Sequence, residues 1–276
     1  MKWGERVDLS QKKLFLLDLD GTVYLEEALL PGAAEFLSWA RERGCAVRYL
    51  TNNSSRGVEA GLEKMRRLGI PARREEFLTA VEATVYYLQT RRKPSDVYYA
   101  VGTDSFCRQL AEEGFHLRRT PDADVTAVLC AFDTELTYQK VEDACRLLAR
   151  GADFLATNPD LACPTLFGFI PDCGSICQLL VNACGRRPVY IGKPDPTMIR
   201  LAWEQTGYGP AETLMVGDRL YTDIACGVNA GTDTVLVLTG EATAADAAVS
   251  DTPPTLICRD MAELLECLKK ARREGC

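Results

Sequence analysis

The sequence predicts an α/β fold in which a doubly wound parallel sheet is interrupted by a second, inserted α/β domain. Strand-like and helix-like segments alternate at both ends of the chain, and the middle carries strands and helices of its own. Leu14–Leu17 is an all-apolar run, as expected of a strand buried on both faces of a parallel sheet. Regular alternation of this kind is typical of parallel sheets with helices on both faces.

The two ends of the chain supply the predicted core sheet. Its first helix is bounded by Pro31 at the start and Gly44 at the end, which is the usual asymmetry of helix termini. The expected strands are 14–17, 46–50, 77–78, 214–216 and 234–238. The expected helices are 32–43, 56–68, 197–206, 223–230 and 261–272.

The middle of the chain is long enough to form a domain of its own. The expected strands there are 97–101, 125–130 and 154–156, and the expected helices are 104–113, 138–150 and 176–183. We therefore predict a core domain of residues 1–80 plus 188–276 and an inserted domain of residues 81–187.

Composition and charge exclude several classes of protein. The 276 residues are 47% apolar, which supports sizeable cores, and the net charge of −7 opposes a broad nucleic-acid-binding face. The polar lead of residues 1–13 and the short apolar run after it resemble neither a signal peptide nor a membrane span. We therefore expect a cytoplasmic protein with no nucleic-acid or membrane partner.

The cysteine and histidine content narrows the chemistry. The twelve cysteines are scattered, and we interpret most of them as small core residues in a reducing compartment rather than as disulfides or a metal cluster. His116 is the single histidine, expected on the surface near a helix end, so histidine-based triads and multi-histidine metal centres are excluded. Carboxylates, hydroxyls, lysine and backbone amides must carry the reaction.

The strongest motif follows the first strand. Leu14–Leu17 leads into Asp18-Leu19-Asp20-Gly21-Thr22, so two carboxylates stand where a buried strand ends. Such a pair is costly unless a cation or a reacting group compensates it, and ligands of open α/β sheets bind at the carboxyl ends of central strands. A simple solvated turn is the alternative. The motif predicts a metal and phosphate site.

Two further segments supply groups that bind anions. Thr51, Asn52 and Asn53 follow the second strand, where a hydroxyl and successive N–H groups ahead of a helix form a natural anion site. A turn with a helix cap is the alternative for these residues. Lys193 lies in Gly192-Lys193-Pro194, a segment that alone indicates only an exposed charge.

The last segment is acidic. Asp218 follows the strand at 214–216 and is expected at the same sheet edge as Asp18, while Asp223 starts the next helix, where simple capping is an equal alternative. Together the four segments supply the nucleophile, proton donor, cations and oriented donors that phosphoryl transfer requires.

With these four motifs the chain resembles the haloacid-dehalogenase (HAD) superfamily, and most closely its NagD-type, class IIA branch of p-nitrophenyl phosphatase-like enzymes. The insert adds two matching segments, 156–160 (Ala-Thr-Asn-Pro-Asp) and 171–175 (Pro-Asp-Cys-Gly-Ser). The resemblance implies a HAD core with an inserted C2-type α/β domain, the cap. Many members carry Pro-Gly-x-Gly where this chain has Pro171-Asp172-Cys173-Gly174.

The resemblance also implies roles for individual residues. Asp18 would attack phosphorus to give an aspartyl-phosphate, and Asp20 would protonate the leaving oxygen and then activate water. Mg²⁺ would be held by Asp18, the backbone carbonyl of Asp20 and Asp218, with Asp223 supporting the site. The phosphoryl oxygens would be bound by Thr51, the amides of Asn52 and Asn53, and the charge around Asp18 would be offset by Lys193.

Substrate selection is expected in the cap, because a core crowded with phosphoryl-binding groups leaves little surface for the leaving group. The candidate specificity residues are Asn158, Asp160, Cys163 and Asp172. A plain turn is the alternative for 158–160. The partner is a small phosphorylated metabolite, such as a sugar phosphate or a nucleotide, and a homodimer through the cap is a further expectation.

Three other activities use related residues. Dehalogenation needs no metal, so Asp20 and Asp218 argue against it. A phosphotransferase or phosphomutase usually carries its cap between the first two motifs, where this chain has mostly one helix and one strand. A non-catalytic phospho-accepting receiver is about half this length.

Overall fold

The computed structural model describes residues 8–54, 58–165 and 167–274. It forms two compact units: the first contains Met1–Thr51, Glu59–Leu78 and Lys193–Cys276, and the second contains Asn52–Val58 and Thr79–Gly192. The second unit therefore includes a segment from before the predicted insertion at 81–187. The reason is local, since the Ser54 hydroxyl accepts a hydrogen bond from the Phe132 amide of that unit at 3.0 Å.

The strands of the described residues follow in chain order. They are β1 (Leu14–Leu17), β2 (Tyr24–Leu25), β3 (Ala28–Leu29), β4 (Ala46–Thr51), β5 (Phe77–Thr79), β6 (Val97–Val101), β7 (His116–Arg118), β8 (Ala127–Cys130), β9 (Asp153–Ala156), β10 (Ala162–Thr165), β11 (Gly168–Pro171), β12 (Val189–Tyr190), β13 (Thr213–Gly217), β14 (Asp233–Val237) and β15 (Leu256–Cys258).

The α-helices are α1 (Ala33–Glu42), α2 (Val58–Arg67), α3 (Ala80–Arg91), α4 (Asp104–Glu112), α5 (Tyr138–Ala149), α6 (Cys173–Cys184), α7 (Thr197–Thr206), α8 (Ala225–Ala230), α9 (Ala244–Val249) and α10 (Met261–Glu274). Short 3-10 helices cover Leu9–Gln11, Arg74–Glu76 and Pro210–Glu212, and a π-helical turn covers Leu220–Ile224.

The first unit is built on a six-stranded sheet in the order β15-β14-β13-β1-β4-β5. β1 pairs in parallel with both of its neighbours, so that Leu14 lies beside Thr213 of β13 and Ala46 of β4. All four β1 side chains are buried, which requires cover on both faces of the sheet. The strand order reverses at β1, and such a switch point is where open α/β sheets bind ligands.

Aromatic packing fixes α1 against β1. The ring of Phe15 meets that of Phe36 edge-on at 5.1 Å and that of Trp39 at 6.2 Å. The indole of Trp39 is also flanked by the guanidinium groups of Arg43 and Arg272, each 5.0 Å from the ring, and α1 packs against α10. These contacts cover one face of the central strand.

The second unit has a five-stranded parallel sheet in the order β12-β9-β8-β6-β7, and an antiparallel hairpin, β10-β11. Its core joins the sheet to α5 and α6 through residues such as Val128, Leu147 and Ile176. Both units therefore confirm the predicted α/β class with parallel sheets. Among the described residues no helix has the length and apolar character needed to cross a membrane.

Several predicted elements differ from the observed ones. The strand expected at 125–130 begins only at Ala127, and the start expected at 56 for α2 lies outside the described residues. The predicted start of the helix at 223–230 is wrong, because residues 220–224 form a π-helical turn and the α-helix begins at Ala225. In that turn the amides of Asp223 and Ile224 both donate to the Arg219 carbonyl at 3.1 Å. His116 opens β7 rather than following a helix end directly, and it is exposed.

Candidate active site

Three carboxylates converge at the carboxyl end of the central strands of the first unit. Asp18 directly follows β1, Asp218 directly follows β13, and Asp223 lies in the π-helical turn. Carboxylate oxygens of the three residues lie within 4.8 Å of one another. Parallel neighbouring strands end at one sheet edge, which explains how residues so distant in sequence meet here.

Lys193 lies within this cluster. Its Nζ is 2.5 Å from Asp18 Oδ1 and 2.7 Å from Asp223 Oδ1, and it also donates to the Leu50 carbonyl at 3.2 Å. The side chain is 3% exposed, so both ion pairs are shielded from water. The alternative of an exposed charge, which the segment alone suggests, does not apply to Lys193, and its side chain lies beside Asp18 as the family resemblance implies.

Glycines make room for the carboxylates. Gly21 adopts φ +90°, and a Cβ there would lie 2.5 Å from Asp218 Oδ2, so both backbone conformation and space require glycine. A Cβ at Gly217 would lie 2.2 Å from the Cβ of Asp223. The carboxylates therefore pack directly against the main chain.

The electrostatics of the cluster show an excess of negative charge. Burial, and after it the Asp223 carboxylate, raises the pKa of Asp18 well above its usual range. The same two causes raise the pKa of Asp218 to about 6. Burial alone would lower the pKa of Lys193, but Asp18 and Asp223 outweigh it and raise that pKa. The Lys193 ammonium and the nearby Arg219 guanidinium, which also pairs with Glu241, offset the three carboxylates only in part, so further positive charge would stabilise their ionised forms.

Asp218 offers a place for that charge. Its Oδ2 accepts a hydrogen bond from the Glu241 amide at 2.8 Å, whereas its buried Oδ1 has no hydrogen-bond partner among the described residues. An oxygen-only donor set with an unpartnered buried oxygen fits a hard divalent cation such as Mg²⁺. Asp223 is differently engaged, because its Oδ1 accepts from Lys193 and its Oδ2 accepts from the Arg219 amide at 3.1 Å.

Asp20 stands apart from the buried cluster. Its side chain is 54% exposed, and its Oδ1 lies 3.3 Å from Nζ of Lys64. Lys64 also sits 3.7 Å above the ring of Tyr24, which anchors the ammonium near Asp20. Sequence reasoning missed Lys64, because a lysine on a charged amphipathic helix carries no distinguishing local signal.

The predicted phosphate-binding residues follow β4. Thr51 ends that strand in the first unit, and Asn52 and Asn53 begin the second. The Nδ2 of Asn52 donates to Asp160 Oδ2 at 2.7 Å, and the Ser54 hydroxyl lies 3.0 Å from that of Thr157. Side chains of this segment are thus held within the second unit.

The four predicted specificity residues occupy two kinds of environment. Asn158, Asp160 and Asp172 are buried and bonded to one another, since Nδ2 of Asn158 lies 2.9 Å from Asp160 Oδ2 and 3.2 Å from Asp172 Oδ1. Asp172 also caps α6, accepting from the Cys173 amide at 2.5 Å. Cys163 is half-buried on β10 and packs against the core of the unit.

The cysteines of the second unit form a cluster of their own. The sulfurs of Cys130, Cys173 and Cys177 lie within 4.8 Å of one another in the core, and all cysteines in the described part of the chain are free thiols. That spacing is close enough for a soft metal ion. The interpretation of the cysteines as core residues without a structural metal stays a prediction.

A largely buried carboxylate cluster with a lysine, at the switch point of a doubly wound parallel sheet, is the arrangement expected of a HAD-type hydrolase. Comparison with known proteins agrees. Residues 15–116 match the family model described as haloacid dehalogenase-like hydrolase, and residues 190–264 match a second model of HAD-like hydrolases.

Full-length relatives make the assignment specific. An acid sugar phosphatase of Staphylococcus aureus is 35% identical over 95% of this chain and all of its own length. The structure of a 4-nitrophenylphosphatase from Thermotoga maritima superposes with a TM-score of 0.87 at 35% identity, covering 95% of this chain and 99% of that one. NagD from E. coli K-12 gives 0.84 at 32% identity, covering 91% and 98%.

A glycerol phosphate phosphatase from Mycobacterium tuberculosis, solved in complex with magnesium, gives a TM-score of 0.86 at 29% identity, covering 94% of this chain and 79% of that one. The chain belongs to the NagD-type, class IIA branch of the HAD superfamily and is a phosphatase of that class. The predicted family, fold class and enzyme class are thereby confirmed.

Proposed function

We propose that this phosphatase hydrolyses small phosphomonoesters with Mg²⁺, through a phosphorylated Asp18. The observation that carries the proposal is the group of Asp18, Asp218 and Asp223 around Lys193, in which Asp218 Oδ1 is buried without a hydrogen-bond partner in the part of the chain that the structure describes. A phosphate dianion could approach such a cluster only once its negative charge is offset.

Asp18 and Asp20 divide the chemistry between them. An oxygen of Asp18 attacks phosphorus as the bond to the leaving oxygen breaks, and protonated Asp20 gives its proton to that oxygen. Ionised Asp20 then takes a proton from water, which attacks phosphorus and releases Asp18 and inorganic phosphate. The exposure of Asp20 supports this exchange with solvent. Burial and Asp223 raise the pKa of Asp18, the Lys193 ammonium opposes that rise, and a bound cation would complete the ionisation that makes Asp18 a nucleophile.

The cation would be held by Asp18, by the backbone carbonyl of Asp20 and by Asp218. Mg²⁺ bound there would neutralise the phosphoryl oxygens and the carboxylates as negative charge accumulates. Asp223 Oδ1 accepts a hydrogen bond from Lys193, and Asp223 Oδ2 accepts one from the backbone amide of Arg219. Because both oxygens are engaged, these contacts support a positioning role for Asp223 rather than direct metal contact.

Thr51 and the amides of Asn52 and Asn53 would bind the phosphoryl oxygens, since they follow β4, the neighbour of β1. Selection of the leaving group is assigned to the second unit, the cap, with Cys163 and the segments around Asn158 and Asp172 as candidates. The relatives' names make a sugar phosphate, an aryl phosphate or glycerol phosphate the first substrates to test.

A phosphomutase or phosphotransferase is the second candidate, since it would use the same Asp18 chemistry and pass the phosphoryl group to a substrate hydroxyl instead of water. A receiver would be phosphorylated and release little phosphate. Measuring inorganic phosphate released per substrate consumed separates all three.

The decisive experiment is hydrolysis of 4-nitrophenyl phosphate by protein stripped of metal with a chelator. We expect no turnover until Mg²⁺ is restored, and none at any Mg²⁺ concentration in Asp18→Asn. Asp143→Asn is the control, because Asp143 is a buried carboxylate bonded to Tyr99 and Gln139. Full activity in the chelated protein would overturn the metal proposal.

The free thiols among the described cysteines support the cytoplasm as the compartment. A second copy of this chain is proposed as a partner through the cap, where Phe167 and Phe169 are 81% and 73% exposed. Light scattering of Phe169→Ser against the unchanged protein tests that pairing, and a wild-type monomer would contradict it.

A further inference from the structure

The side chain of Asn52 is held by a buried carboxylate. Its Nδ2 lies 2.7 Å from Asp160 Oδ2, and the same oxygen accepts Nδ2 of Asn158 at 2.9 Å. Asn158 is fully buried and Asp160 is 8% exposed, so this arrangement is shielded from solvent. A hydrogen bond to a shielded charge is stronger than one between neutral groups.

The turn that carries Asp160 is itself fixed. The Gly174 amide, in the first turn of α6, donates to the Asp160 carbonyl at 2.8 Å, and Asn158 also donates to Asp172 Oδ1 at the cap of that helix. A Cβ at Gly174 would lie 2.1 Å from the Pro159 carbonyl oxygen. The helix start and the turn are therefore in direct main-chain contact, which gives the Asp160 carboxylate a rigid base.

Two other parts of the chain attach to the same turn. The Ser54 hydroxyl lies 3.0 Å from that of Thr157, and the Gly192 amide donates to the Thr157 carbonyl at 2.7 Å. Ser54 follows the predicted phosphate-binding residues by one position, and Gly192 directly precedes Lys193. The turn thus holds the chain beside two groups of the proposed chemistry.

We propose that Asp160 is a positioning residue for phosphoryl binding. Its carboxylate fixes the side chain of Asn52 and so orients the backbone N–H groups of Asn52 and Asn53. This inference rests on the proposed function, in which those amides bind phosphate. It replaces the expected role of Asp160 as a contact for the leaving group, because Asp160 Oδ2 is occupied by two amide donors.

The two roles make different predictions. Loss of a leaving-group contact lowers kcat/KM on some substrates and spares others. Loss of a positioning residue lowers kcat/KM by the same factor on every phosphomonoester and weakens the binding of inorganic phosphate by that factor as well. We expect about a tenfold loss in Asp160→Ala, the size of one charge-assisted hydrogen bond.

The experiment compares Asp160→Ala, Asp160→Asn, Asn52→Ala and the double variant Asn52→Ala with Asp160→Ala. Phosphate affinity is measured by thermal shift with inorganic phosphate and Mg²⁺, and kcat/KM on 4-nitrophenyl phosphate and a sugar phosphate. We expect each single alanine variant to lose about tenfold in phosphate affinity and in kcat/KM, and the double variant to lose no more than either single variant. Asp160→Asn should retain most of the wild-type affinity and kcat/KM, because its side chain still offers an acceptor oxygen.

Asp143→Ala is the matched control, since it removes a buried carboxylate of the same unit that bonds Tyr99 and Gln139. It is expected to lower thermal stability while leaving phosphate affinity unchanged. If Asp160→Ala does not fold, Asn52→Ala removes the same hydrogen bond from the other side and decides the matter.

Unchanged phosphate affinity in Asn52→Ala and Asp160→Ala, additive losses, or a loss on one substrate alone would overturn the inference. So would a wild-type protein that binds no phosphate. A wild-type protein that binds phosphate more tightly than Asp160→Ala but hydrolyses no ester would refute the proposed function and leave this inference standing.

Discussion

Asp18 and Asp20 stand two residues apart, yet their surroundings differ. Asp18 is paired with buried Lys193, whereas the Asp20 side chain is 54% exposed and close to Lys64. Burial and Asp223 raise the pKa of Asp18, so its ionisation depends on the Lys193 ammonium and on added positive charge, whereas the exposed Asp20 carboxyl can exchange protons with water. This contrast supports the proposed roles of Asp18 as the nucleophile and Asp20 as the general acid.

The first prediction tests that assignment. Asp20→Asn should lower kcat by about 10² to 10⁴-fold on an alkyl phosphate, because the poor leaving group loses its proton donor. The loss on 4-nitrophenyl phosphate should be smaller, since nitrophenolate leaves without protonation. Steady-state kinetics on the two esters measure the difference, with Lys64→Ala as a neighbouring control. Equal losses on both esters would assign Asp20 another role.

Among the helices, α6 is capped by a carboxylate, Asp172, whose pKa is far from its usual value. Burial raises the pKa of Asp172 to about 7, although the Cys173 amide and Asn158 donate to it. Between the ordinary pKa of an aspartate, about 3.9, and about 7, the folded chain binds a proton that the unfolded chain has released. The stability that Asp172 contributes is therefore complete at low pH and is lost as pH rises through about 7.

Asp172→Asn should remove that pH dependence. Asparagine is an equally good helix cap and does not titrate, so the difference in melting temperature between variant and wild type should change steadily from pH 4 to pH 7.5. Thermal unfolding across this range measures that difference. The pH dependence contributed by the acidic cluster of the first unit drops out of the difference, because both proteins contain the cluster. A constant difference would show that Asp172 titrates normally.

The start of α6 also sets a steric requirement. Gly174→Ala should lower the free energy of unfolding by about 1–3 kcal/mol, because the new Cβ would lie 2.1 Å from the Pro159 carbonyl oxygen. Gly209→Ala is the control, since a Cβ there has open space. Chemical denaturation compares the two variants, and equal stability would mean that the turn yields easily.

Much at this scale could be predicted from the sequence. Strand ends carrying Asp18, Thr51 and Asp218 were identifiable because apolar runs mark buried strands and polar residues follow them directly. The partners of Asn158 and Asp160 were not, because a buried polar network depends on side chains distant in sequence. The π-helical turn before α8 was missed for a similar reason: the space that Asp223 fills is created by Gly217.

At the scale of the whole molecule, the excess negative charge of the first unit links cation binding to stability. Mg²⁺ should raise the melting temperature of the chelated protein, by an amount equivalent to about 2.7 kcal/mol at a concentration one hundred times its dissociation constant. Asp218→Asn should need about 10²-fold more Mg²⁺, or more, to reach the same rise in melting temperature. Calorimetry at a series of Mg²⁺ concentrations measures both. An identical response in the variant would exclude Asp218 as a ligand.

The position of β1 between β4 and β13 has a consequence for synthesis on the ribosome. β1 can pair with β4 early, but its other edge meets β13 only when Thr213 and later residues have emerged. Asp18 and Lys193 are 175 residues apart, so for most of translation the nascent chain carries Asp18 without its Lys193 partner and β1 with an open apolar edge. Chains stalled before residue 213 should therefore aggregate or recruit chaperones, and added Mg²⁺ should not rescue them.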